Sequence, residues 1–264
     1  MTTPSLALDP RPAPGLLADL LAREPTLARF GFAMWLLAIP VAVAIGVDER
    51  TLREANVWAK PFKFLVSVGL LSLTTAWFVG LLPAARRRAR PVRIAVALIV
   101  GCGSFEIGYI VLQAALGQAS HYNVGDPLHG ALYTLMGIAA VAMTASQPIL
   151  AREIALHAPL PRGAWRSSVL AGLVLTFVLG TAAGLALGGR QPPSGGGLAL
   201  LGWHASGDLR PAHFVGMHAH HVLPALGWLL DRARVPGAGR WLGVATAAWI
   251  ALWIAAMAAG LRPA

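Results

Sequence analysis

Charge is what this sequence has least of: Asp, Glu, Lys and Arg make up 12% of its 264 residues, while 56% are hydrophobic and the mean hydropathy is +0.64. That balance excludes an ordinary soluble domain and reads as an integral membrane protein. Cysteine is nearly missing as well. The single Cys102 lies in an apolar run, which excludes an intrachain disulfide and any cysteine-based zinc or iron–sulfur framework. Acidic residues number 11 against 21 basic ones, giving a net charge of +10. In a soluble protein this excess would point to nucleic acid; here most arginines fall between apolar runs, where they set membrane orientation. There is also no complete HExxH, no repeated HxxHH box with carboxylates, no strong internal repeat and no second soluble domain. These absences count against a zinc protease, a di-iron desaturase and a standard secondary transporter.

What is present is a succession of apolar runs. Seven reach the roughly 20 residues that cross a bilayer core of about 30 Å. They cover 27–47, 61–83, 93–117, 128–149, 168–188, 211–230 and 241–260. The expected fold is an all-α transmembrane bundle of seven helices over 27–260, in the cell inner (cytoplasmic) membrane with the lipid bilayer as its partner. Asp126 before Pro127 reads as an N-cap with proline at the first helical position, and Pro61 and Pro211 fit first turns. Gly180, Gly184 and Gly188, four apart, give the fifth run a smooth face for close helix packing inside the bundle.

Arginine places the loops. Arg86, Arg87, Arg88, Arg90 and Arg93 follow the second run, Arg152, Arg162 and Arg166 the fourth, and Arg232, Arg234 and Arg240 the sixth. These loops are expected inside, and 118–127, with no Lys or Arg, outside. The N-terminus is then inside and the C-terminus outside. Arg50, Arg53 and Lys60 fit this poorly, since they fall in the first outside loop, accompanied by Asp48, Glu49 and Glu54. Residues 1–26 form a cytoplasmic tail, proline-rich and then amphipathic in GLLADLLARE, suited to the inner membrane surface. The first run is read as an uncleaved span; 189–210 is a glycine- and proline-rich outer connection and 261–264 an external tail.

An ionisable group inside a span is expensive and is a functional hypothesis by default. Cys102, Glu106, Tyr109 and Gln113 recur at helical spacing along one face of the third run. The sixth carries His213, Met217, His218, His220 and His221, with His218 and His221 neighbours on its surface. By rise per residue, Glu106 and His221 lie about 16 and 15 Å below the outer surface and are expected to meet near the midplane. His121 and Asn123, in ASHYN, and His129 stand at the outer face, as do Lys60 and Lys63 in NVWAKPFKF. Plainer roles stand beside each. The lysines snorkel with Trp58 as a belt residue; His121 and His129 are loop or cap residues; Glu106 hydrogen-bonds a neighbouring helix. Asp208 and Arg210 cap the sixth run and pair, or Arg210 guards the mouth.

WAKPFKF, the SHYN run after a glutamate-bearing span, and GDLRPAHFVGMHAHHVLPALG resemble motifs of a group of uncharacterised bacterial multi-pass membrane proteins of similar length. The resemblance covers spans two, three and six, roughly half the chain, and implies membership without supplying an activity. It also implies that Gln can replace His221, which moves weight onto His213, His218, Glu106 and the lysines.

Two functions compete. In the first, the outer half of the bundle holds haem b or a transition metal for electron transfer or redox chemistry. Haem would use His218 or His221 with His129 or His121. Copper, zinc or iron would use His213, Met217, His218 and His221, with Met217 favouring copper. Glu106, Gln113 and Tyr109 then orient the ligands, and a redox partner or small-molecule ligand meets the outer face. In the second the chain is a cofactor-free transporter or sensor for a small anion or protons: Lys63, Arg210 and the histidines attract the anion to an outward-facing pocket, and Glu106 exchanges a proton. A seven-span zinc hydrolase ranks below both because its motifs are missing, and no mid-span lysine supports retinal.

Overall fold

A computed structural model describes residues 15–195, 197–198 and 202–263. The proline-rich start of the tail, part of the 189–210 connection and Ala264 lie outside the described residues. Helix dominates: α1 Leu16–Arg23, α2 Pro25–Val47, α3 Ala59–Val79, α4 Ala84–Arg87, α5 Arg90–Ala115, α6 Pro127–His157, α7 Ala164–Gly188, α8 Arg210–Met217, α9 Ala219–Arg232 and α10 Ala238–Leu261. A two-residue antiparallel pair, β1 Thr51–Leu52 with β2 Ala55–Asn56, turns the chain between α2 and α3. Six helices are long and apolar enough to cross a membrane: α2, α3, α5, α6, α7 and α10. Leu36, Ile39, Leu252 and Ile254 are exposed on the outside of the bundle, as a lipid-facing surface requires.

The ends follow the capping chemistry. Asp126 accepts from the backbone N–H groups of Leu128 and His129 at 3.0 Å each, with Pro127 opening α6. At the close of α5, Gly117 adopts φ 68°, and Gln118 N donates to the Gln113 carbonyl at 2.8 Å. The amphipathic stretch of the tail is α1, which buries Leu20 against Leu27, Leu73 and Ala76.

Two runs differ from their sequence-based outlines. The fourth extends through Pro148 to His157, so Arg152 lies on helix and Glu153 is carried into the inner core. The sixth is not one helix. It breaks at His218 (φ −96°, ψ 4°) into α8 and α9. The His220 N–H donates to Oγ1 of Thr176 on α7, at 3.0 Å, instead of to its own helix. Pro224, four residues on, brings no N–H for the His220 carbonyl. The local ladder is therefore weak on both sides, and α7 supplies the missing partner.

Together α8 and α9 run antiparallel along α7. Gly227 packs on Ala164 and Ser168, Pro224 on Gly172, His220 on Thr176, Gly216 on Gly180 and His213 on Gly184. A Cβ on Gly216 would sit 2.7 Å from the Gly180 nitrogen, a backbone-to-backbone approach that only glycine permits. The glycine face of α7 is thus filled from within the bundle.

Candidate functional site

Three polar layers follow the helices. The first, toward the end expected outside, forms where α3, α5 and the loop between α5 and α6 meet. Glu106, Tyr109 and Gln113 are all buried on one face of α5, as their spacing predicts; Gln113 is placed to bond the Tyr109 hydroxyl, and Glu106 Oε1 and Gln113 Oε1 have no hydrogen-bond partner among the described residues. Such atoms are costly in a bundle interior. Cys102 is half-buried. Lys60 is the charge that acts on Glu106, and its ammonium lies 5.7 Å from the Phe64 ring centroid. Lys63 and Arg210 are near enough for their charges to act on each other.

The loop above this layer is anchored. The His121 ring packs against Phe64 and Tyr133 at 6.1 and 5.7 Å. Burial pushes its pKa down to about 3, with the Lys60 charge adding to the effect. Tyr122, at φ 58°, donates to the Leu187 carbonyl at 2.5 Å, and Tyr133 donates to Gly188 at 2.7 Å, so both tyrosines cap the end of α7. Asn123 closes the loop on the Ala119 carbonyl, and His129 pairs with Asp126 at 2.5 Å. Hydrogen bonds from His129 hold the Asp126 carboxyl below its ordinary range. Asp208 is buried, which raises its pKa, but hydrogen bonds from Arg210 and the His204 backbone outweigh this and leave it lowered. Arg210 also donates to the Gly202 carbonyl, the capping and pairing role expected of it.

The middle layer holds the histidines. His220, 1% exposed, places Nδ1 2.9 Å from Thr176 Oγ1, and Thr176 is the middle residue of α7. His221 Nε2 lies 3.1 Å from Thr74 Oγ1 on α3. His220 Nε2 and His221 Nδ1 have no hydrogen-bond partner among the described residues. The rings of Phe214, His218, His221 and His220 follow one another with centroid separations of 4.0, 5.0 and 3.9 Å, and Phe78 continues the series at 6.5 Å. His213 Nδ1 is 3.1 Å from the Gly180 carbonyl, and Met217 Sδ packs at Gly180. A groove of about 290 Å³ touches this layer from the arginine-rich end, lined by Thr74, Trp77, Trp165, His220, His221 and Trp228 among others.

The third layer, at the arginine-rich end, was not expected from the sequence. Glu153, 1% exposed, is bonded to Arg86, with Arg152 at 3.5 Å and His157 at 3.8 Å. Charge at 153 beside arginines looks like an ordinary loop until the length of α6 is known. Thr74, Thr75, Thr176 and Gln147, which line or border the middle layer, likewise read as isolated polar residues within apolar runs.

Glu106 and His221, expected to meet, have different partners: Lys60 acts on the first and Thr74 bonds the second. Among the described residues no three His, Cys, Asp or Glu side chains are gathered as a metal-binding group. His213, His220 and His221 each direct one ring nitrogen to an oxygen atom, on Gly180, Thr176 and Thr74 respectively. No protein-family model, curated protein or solved structure matches this chain.

Proposed function

We propose that the chain crosses the membrane seven times, with α8 and α9 as one discontinuous crossing, the N-terminus inside and the C-terminus outside, and that it conducts protons or a small anion. The observation that carries this reading is the break at His218 beside buried, unpartnered polar atoms. Irregular backbone at membrane depth is tolerated where it is packed in protein or lines a path, and discontinuous helices are the usual binding elements of carriers. Lys63 and Arg210 favour an anion at the outer mouth, Glu106 exchanges the proton, and the His218, His221 and His220 series leads inward.

Proteoliposomes with a pH-sensitive dye inside and an imposed membrane potential test this directly. Proton entry above that of protein-free vesicles, falling at least tenfold in Glu106→Gln, is the expected result. Vesicles no more permeable to protons or chloride than protein-free ones would overturn it. Haem or a transition metal for redox chemistry is the second reading, favoured by the adjacency of His218 and His221. Absorption spectra of oxidised and dithionite-reduced protein, with elemental analysis of the same sample, decide it. A Soret band or stoichiometric metal supports it, and a colourless, metal-free protein removes it.

A further inference from the structure

We infer that the tryptophan-lined groove at the arginine-rich end of the bundle seats an anionic phospholipid, with one acyl chain in the groove and the phosphate on Arg232. The lining comes from α3, the first turn of α7 and α9, and Trp77, Phe78, Trp165 and Trp228 make up most of the wall. No Asp, Glu, Lys or Arg lines it. Trp228 is 46% exposed, so the groove opens on the lipid-facing side. A volume of about 290 Å³ falls just below the range for a whole small-molecule ligand, which fits a stretch of one hydrocarbon chain.

Position along the helices sets the depth. Trp77 lies in the last turn of α3, Trp165 in the first turn of α7 and Trp228 about one turn before the end of α9. Indoles collect where hydrocarbon gives way to head groups. From Trp228 the groove runs toward His221, about 10 Å along α9 at about 1.5 Å per residue.

Charge at this level selects the head group. Arg23 stands over the Trp77 ring at 5.4 Å and Arg232 over the Trp228 ring at 5.2 Å, so two of the three indoles carry a guanidinium. Arg23 is paired with Asp19. Arg232 is exposed and has no carboxylate partner among the described residues. Its neighbour Asp231 is turned to the start of α7, where it accepts from the Ala164 and Trp165 N–H groups at 3.2 and 2.8 Å. Glu24 and Glu153 are likewise engaged, with the Leu27 N–H and with Arg86. A phosphate diester matches the planar fork of Arg232. A choline head would bring a further cation among Arg162, Arg234 and Arg240, and so would gain less than an anionic one.

The inference does not rest on the conduction reading, because it involves no transport. Protein is reconstituted in dioleoylphosphatidylcholine vesicles with a minor fraction of brominated-chain phosphatidylglycerol, whose bromines quench the indoles they touch. Quenching above that from the same fraction of brominated-chain phosphatidylcholine is expected, equivalent to a preference of about fivefold, the worth of one arginine near an anionic surface. The preference should vanish in Arg232→Gln and persist in Arg90→Gln, which removes the same charge from the exposed start of α5. Trp228→Phe should remove a large part of the excess quenching. Equal quenching by the two lipids would overturn the proposal and leave ordinary solvating lipid at the groove. So would an equal loss in Arg90→Gln, which would trace the preference to general surface charge, or displacement of the brominated phosphatidylglycerol by equimolar oleate, which would make the occupant a fatty acid.

Discussion

Glu106 and Glu153 are buried to nearly the same degree, 3% and 1% exposed, and their surroundings are opposite. Glu153 bonds Arg86 and has Arg152 and the His157 ring nearby. Among the described residues, Glu106 keeps one oxygen without a partner and has the Lys60 charge acting on it. A buried carboxylate saturated with cations holds elements together, in this case α4 to α6. One left unsatisfied costs stability and is retained for what it exchanges. The number of partners, more than burial, separates the two roles.

The largest effect is expected at the saturated end. Glu153→Gln removes the carboxylate from Arg86, whose Nε already lacks a partner, and should lower stability by about 2–4 kcal/mol, below the full cost of breaking a wholly buried pair because the Arg86 side chain is 37% exposed. Thermal unfolding in detergent measures it, and a change within error would erase the contrast. Neutral packing comes next. Gly216→Ala forces α8 from α7 and should cost about 1–3 kcal/mol in the same assay.

Lowering the pH acts on the outer layer. The His121 pKa is depressed from 6.5 to about 3, so between these values the unfolded chain binds the extra proton. Stability should therefore fall as pH drops through that window, and His121→Phe should flatten the profile. Asp126, also lowered, adds a loss at the acid end of the same range. Asp126→Ala, which removes the α6 cap, should cost about 1 kcal/mol. The smallest effect belongs to Glu106→Gln, which should change stability by less than about 1 kcal/mol while abolishing proton entry. A large destabilisation there would make Glu106 a structural residue like Glu153.

Much of the bundle was legible in the sequence because a bilayer demands long apolar runs and short charged loops. Six of the seven runs correspond to helices with ends shifted by a few residues or, for α6, by two turns. The polar face of α5 was legible as well, since spacing alone puts Glu106, Tyr109 and Gln113 together. The break at His218 was not. No glycine or proline occupies that position, and the group that takes the His220 N–H from the helical ladder is a threonine on another helix. Nor was the partner of His221, because Thr74 and His221 are 147 residues apart. Periodicity reports which face of a helix is polar, and it carries no information about which neighbour that face meets.

The hydroxyl of Thr176 also bears on the order of assembly. Before α7 has docked, the segment favours a continuous helix through His218, because its N–H groups have no other protein acceptor. The bend becomes favourable once Thr176 is alongside. Since α7 precedes it in the chain, synthesis delivers the template before the segment it shapes.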